Sequence, residues 1–202
     1  MVAKLWKVLT VLLCVCVFIG FGAAASADDD GAVEYSQIKS DFSVTFFTDD
    51  CCAIGGRYSA SGNVVIPARV IVKAGDGVSS VQPGDPPKTY TVTEIRSFQS
   101  NKNITSLTIA EGIQTISNGA FLNCTGLTGD LTIPNSVTSI GSQAFKGCTG
   151  LNGRLTLGSG LETIGSSAFS GCKFTGTLTI PNTVTRIENS AFYYCTGFTG
   201  GL

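Results

Sequence analysis

The chain has 202 residues, enough for one ordinary domain or a short repeat array. Hydrophobic residues make up 43%, so a core can form, but charged residues are only 13%, about half the usual share. With 25 glycines and abundant Ser, Thr and Asn, that mix fits a turn-rich β or repeat protein and excludes a helical bundle.

In chain order, the first predicted element is a secretory signal over residues 1–27. Lys4 and Lys7 precede the apolar run Val8–Gly22, and Ala25 and Ala27 take the small-residue positions of a cleavage site. The run is shorter than the ~20 residues a membrane span needs. Cleavage leaves 11 basic and 14 acidic side chains, so the mature protein is weakly acidic. It offers no electrostatic footprint for nucleic acid, and no later segment is apolar enough to insert in a membrane.

Residues 28–40 read as an acidic, flexible leader. Asp28, Asp29 and Asp30 lack the further ligands of a calcium loop. Residues 41–103 hold β-like runs at Phe42–Phe47, Asn63–Ile66, Val70–Lys73 and Tyr90–Ile95, with an inserted Gly- and Pro-rich loop over 75–87. This segment is expected to cap the array that follows, because an open first coil exposes its apolar side.

From Ile104 onward the chain repeats. Ala-Phe recurs at Ala120-Phe121, Ala144-Phe145, Ala168-Phe169 and Ala191-Phe192, with Phe spacings of 24, 24 and 23. A cysteine follows each Phe by three residues (Cys124, Cys148, Cys172, Cys195), and an isoleucine precedes it by five (Ile116, Ile140, Ile164, Ile187). The triplets Leu107-Thr108-Ile109, Leu131-Thr132-Ile133, Leu155-Thr156-Leu157 and Leu178-Thr179-Ile180 keep the same beat. Residues 104–202 therefore contain four complete repeats and a truncated fifth. Within a unit, apolar-Thr-apolar is the period-two pattern of a half-buried strand. The serine of Gly-Ser-x-Ala-Phe is expected to cap a short helical turn, with Gly147 and Gly171 leading out of it. No single unit buries its Leu, Ile and Phe side chains, but stacked units place like residues in columns.

The Leu-x-x-(x)-Leu-x-Ile pattern, and the unit from Leu131 to Leu151, resemble the BspA-like leucine-rich repeats of bacterial surface proteins. The resemblance implies a β-rich solenoid of 23–24-residue repeats, made of short strands and short helical turns, behind an N-terminal β cap. It also implies a secreted or cell-surface role in adhesion or ligand binding. Two departures stand out: Ile95 lies only three residues before Phe98, and Asn101 stands where the later repeats carry cysteine.

Histidine is absent, which removes the commonest general base and metal ligand. No Ser-His-Asp or Cys-His system can be built, so the reading is a binding protein rather than an enzyme, with no cofactor and no metal. The column Cys124, Cys148, Cys172 and Cys195 reads as structural. Neighbouring strands are close enough for disulfides, but parallel side chains point the wrong way, so free thiols are expected. Cys51 and Cys52 either pack in the cap or bond each other. The candidate ligand-binding residues are those facing outward beside each strand: Ser106, Thr108, Asp130, Thr132, Arg154, Thr156, Thr177 and Thr179. The expected partner is a protein or extracellular-matrix ligand. The rival reading is a spacer array that displays another domain. The chain stops inside a strand at Leu202, so a longer natural protein is expected.

Overall fold

The structure, a computed structural model, describes residues 32–34, 42–46, 51–56, 60–72 and 83–199. The expected signal sequence, most of the acidic leader, residues 75–82 of the expected loop and residues 200–202 lie outside the described residues.

Among the described residues, six strands precede the regular repeats: β1 (Ala32–Glu34), β2 (Phe42–Phe46), β3 (Cys51–Gly56), β4 (Gly62–Ile66), β5 (Arg69–Val72) and β6 (Lys88–Ile95). The four runs anticipated from the sequence are β2, β4, β5 and β6. β3 was missed because Cys52, Ala53 and Ile54 are all buried, so the strand shows no in-out alternation.

Seven strands follow, six of them of two residues: β7 (Ile104–Ile109), β8 (Thr115–Ile116), β9 (Leu131–Thr132), β10 (Ser139–Ile140), β11 (Leu155–Thr156), β12 (Thr163–Ile164) and β13 (Arg186–Ile187). They fall into two rows. The isoleucine row is continuous: β8, β10, β12 and β13 are parallel, with Ile116, Ile140, Ile164 and Ile187 in register. This row joins β6 at Ile95 and, through β6, the earlier strands β5, β1, β3 and β2, giving a nine-stranded sheet. The Leu-Thr-Ile row is broken into two pairs, β4 with β7 and β9 with β11. The widest sheet thus runs through the second apolar stretch of each repeat, not through the triplet that looks most strand-like in sequence.

The pairings carry the repeat frame upstream of Ile104. Val64 and Ile66 lie opposite Leu107 and Ile109, and Ile95 lies opposite Ile116. Phe98, despite its shortened spacing from Ile95, stacks on Phe121 at 5.0 Å between ring centroids. Asn101 is buried at the cysteine position, where its Nδ2 donates to the Ala60 carbonyl at 2.8 Å and its Oδ1 accepts from the Asn103 amide at 3.0 Å. A thiol is only a weak donor and a weak acceptor and would serve both partners less well.

The expected short helical turns are absent, and no helix is present among the described residues. The Ala-Phe segments form chained turns instead. The amides of Ala120, Leu122 and Cys124 close back on the carbonyls of Ser117, Gly119 and Phe121. The intervening amides of Gly119, Phe121 and Asn123 donate to Ser142, Ala144 and Lys146 in the next repeat. This alternation needs left-handed residues at regular intervals, supplied by Gly119 (φ 62°), Asn123 (φ 58°), Gln143 (φ 59°) and Gly147 (φ 73°). A helix has φ near −63° throughout and keeps its amides for itself. Here every second amide binds the neighbouring coil.

Between the two strand rows lies one core. Phe98, Phe121, Phe145, Phe169 and Phe192 form a continuous stack with centroid spacings of 5.0 to 5.5 Å and planes within 15° of parallel. Offset stacking at this distance is favourable for aromatic rings beyond the area they bury.

Candidate binding face

The triplet row exposes one outward position per residue pair. Thr108, Asp130, Thr132, Arg154, Thr156, Thr177 and Thr179 are exposed, whereas Ser106 is half-buried and its Oγ donates to Asn63 Oδ1 at 2.7 Å. β9 and β11 bring Thr132 opposite Thr156. The residues chosen from sequence therefore do fall on one row, and Ser106 is the one already engaged.

Asp130 and Arg154 meet through the backbone. The Asp130 carboxylate accepts the Arg154 main-chain amide at 2.7 Å. Equivalent side-chain acceptors join other repeats, with Asn118 Oδ1 taking the Ser142 amide at 2.8 Å and Asn135 Oδ1 the Ser159 amide at 2.9 Å. Asp130 thus clamps one repeat to the next, a role its sequence position did not reveal. The signal available was the recurrence of Asn or Asp one period before a polar residue.

Beyond β11 the row opens. The Thr175 amide still reaches the Gly153 carbonyl at 2.8 Å, but no strand pairing joins Leu155–Thr156 to Leu178–Thr179. A cleft of about 610 Å³ occupies the gap, lined by Arg154, Thr156, Thr177 and Thr179, with Leu155 and Leu157 at its floor. Cys172 is six residues from Leu178, whereas Cys148 is seven from Leu155, so the coil that forms the far wall is one residue short. A second, more open cleft of about 510 Å³ lies on the isoleucine row. There Glu94 pairs with Arg96 at 3.3 Å and accepts the Ser117 hydroxyl. Sequence reading passed over it because Glu94, Thr115 and Ser139 precede the isoleucines, outside the triplets.

The cysteine column faces inward. Cys124, Cys148 and Cys172 are buried and Cys195 half-buried, all as free thiols. Each donates to the carbonyl of a phenylalanine one repeat earlier: Cys124 to Phe98, Cys148 to Phe121, Cys172 to Phe145 and Cys195 to Phe169, at 3.0 to 3.2 Å. Burial pushes the Cys124 and Cys195 thiols up to about 11, and Cys148 and Cys172 higher still. Buried, protonated thiols are poor nucleophiles and poor metal ligands. Cys52 is likewise buried in the core.

Residues 128–199 match the family model for the BspA type leucine rich repeat region (6 copies). Residues 128–199 carry BspA-type leucine-rich repeats. The match takes in both walls of the cleft beyond β11 and ends at Thr199. A leucine-rich repeat protein from Bacteroides ovatus ATCC 8483 is similar in structure, with a TM-score of 0.61 and 29% identity over 78% of this chain and 38% of that one. A T. pallidum leucine-rich repeat protein has a TM-score of 0.62 and 24% identity, covering 79% of this chain and 67% of that one, which supports the fold. The present chain spans 38% of the length of the Bacteroides ovatus protein. No curated protein matches the chain. Both structural likenesses cover more of the chain than the BspA-type match does, in keeping with the upstream pairings of β4 and β6.

Proposed function

We propose that this chain is a secreted or cell-surface binding module that recognises a protein or matrix ligand through its triplet row. The array is read as a solenoid, with the strands around β2 and β3 closing its N-terminal end. One observation carries the reading: Thr108, Thr132, Thr156 and Thr179 repeat along one exposed row that Asp130 and Arg154 interrupt with charge. Repeat arrays present such rows as extended contact surfaces, because the stacked core fixes the backbone while the outward residues vary. The row has hydroxyls, a guanidinium and a carboxylate, and the chain has no histidine, which favours recognition over bond-making chemistry.

The spacer reading draws on a different observation, that Asp130 is already engaged by the Arg154 amide. Arg154 and Thr156 decide between the two. Immobilised protein is to be assayed against matrix proteins and glycans. Saturable binding that falls in an Arg154→Ala, Thr156→Ala double variant is the expected result. Binding unaffected by that variant, or no saturable ligand at all, refutes the sheet-face reading.

A further inference from the structure

The cleft beyond β11 has the chemistry of a carboxylate subsite. Within the β9–β11 pair, the Leu131 and Ile133 amides donate to the Arg154 and Thr156 carbonyls at 2.9 Å. Strand alternation then puts the N–H groups of Leu155 and Leu157 on the opposite edge, toward the cleft. Among the described residues no main-chain acceptor takes either one. Leu155 and Leu157 are only 6% and 9% exposed, and both line the cleft toward which their amides point. Amides that point into the cleft with no main-chain acceptor are available to an incoming anion.

The surrounding groups agree in sign. Among the described residues, Arg154 is the one charged side chain lining the cleft, and no carboxylate lines it. Its side chain lies over Gly176, where an added Cβ would stand 3.9 Å from Arg154 Cγ. The cleft is therefore floored beneath the guanidinium by bare backbone. Thr156 and Thr179 add hydroxyls, the Thr177 hydroxyl donates to the Thr199 carbonyl at 3.3 Å, and Leu155, Leu157 and Pro181 make the rest of the lining apolar, suited to a short methylene stem. Among the described residues, no aromatic ring lines the cleft for a sugar to stack on.

The geometry points to this cleft as the subsite that takes an acidic side chain, Asp or Glu, of a protein ligand. The carboxylate would sit between the Leu155 and Leu157 amides and the Arg154 guanidinium, a charge-assisted arrangement. This rests on the sheet-face reading and names the ligand chemistry it selects.

Chemical-shift titration of ¹⁵N-labelled protein tests it directly. The probes are a blocked Gly-Glu-Gly tripeptide, its Gly-Gln-Gly counterpart and glucuronate. The expected result is saturable shifts centred on the Leu155, Leu157, Gly176 and Thr177 amides. They should be roughly tenfold weaker in apparent affinity for the Gln peptide and lost in Arg154→Gln, whose dispersed spectrum reports that it is folded. Non-saturating shifts, equal response to Glu and Gln peptides, an undiminished response in Arg154→Gln, or tighter binding of glucuronate overturns the inference. Probe binding here with no macromolecular ligand on the row would sink the proposed function alone, and the converse would sink the subsite alone.

Discussion

The Cys148 thiol donates to the Phe121 carbonyl of the preceding repeat at 3.0 Å, and both residues are fully buried. The two most regular columns of the sequence are thereby joined, since the cysteine of each repeat satisfies the backbone beneath the ring of the repeat before. Stacking of coils and satisfaction of their buried carbonyls come from one pair of positions.

Cys148→Ala is expected to lower stability by about 1–2 kcal/mol, through a lost hydrogen bond and a small cavity. Denaturant melts compare the variant with the parent. The four column thiols should resist alkylation in the folded protein and all react in denaturant, each adding one label by intact mass. Four cysteines that stay unlabelled in denaturant would mean that they are bonded.

Alkaline pH should destabilise the fold. The folded Cys124 and Cys195 thiols titrate near 11 because burial disfavours the thiolate, while an ordinary thiol titrates near 9. Above pH 9 the unfolded chain loses protons that the folded chain keeps, so stability falls as pH rises. Their contribution is fully present below pH 9 and is lost progressively as pH climbs through 11. Cys148 and Cys172, raised in the same direction, extend the loss to higher pH. Thermal melts across this range should show a shallower decline in Cys148→Ala; an equal slope would contradict the linkage.

Phe145→Ala removes the middle ring of the stack, which contacts Phe121 at 5.1 Å and Phe169 at 5.5 Å. A loss of about 3–5 kcal/mol is expected. The equivalent change at Phe192, half-buried at the end of the described stack, should cost less. Equal losses at the two sites would contradict a continuous stack as the source of stability.

Gly150 packs directly on the repeat below, and a Cβ there would collide with the Leu127 carbonyl. Gly126 and Gly197 meet carbonyls of their preceding repeats in the same way. Gly150→Ala should therefore destabilise by about 1–3 kcal/mol through overpacking. Gly129 lies in open space at φ 78°, so Gly129→Asn should be much milder there, since Asn tolerates the left-handed region.

Asp130→Asn retains an oxygen for the Arg154 amide, whereas Asp130→Ala does not. Stability should fall by about 0.5–1 kcal/mol in the alanine variant and change little in the asparagine one, given the exposure of the site. A larger loss in Asp130→Asn would mean that charge, not the hydrogen bond, is what the position supplies.

The period, the columns and their inward or outward sense were legible in residue spacing alone. Phe121, Ile140 and Cys172 recur because each must meet its own counterpart one coil away, and that demand is written as spacing. The strands before Ile104 were legible where residues alternate, as in β6, and hidden where both faces are covered, as in β3. Which row of strands becomes the continuous sheet was not legible there, because it depends on where each amide finds its acceptor once the coils are stacked. The helical turn at Ala-Phe failed for the same reason: in isolation a turn closes on itself, but beside another coil every second amide gains more by pairing sideways. The candidate face followed this division too. Its residues were chosen by strand alternation, while the engagement of Asp130 and the cleft beside Arg154 arise from how one coil sits on the next.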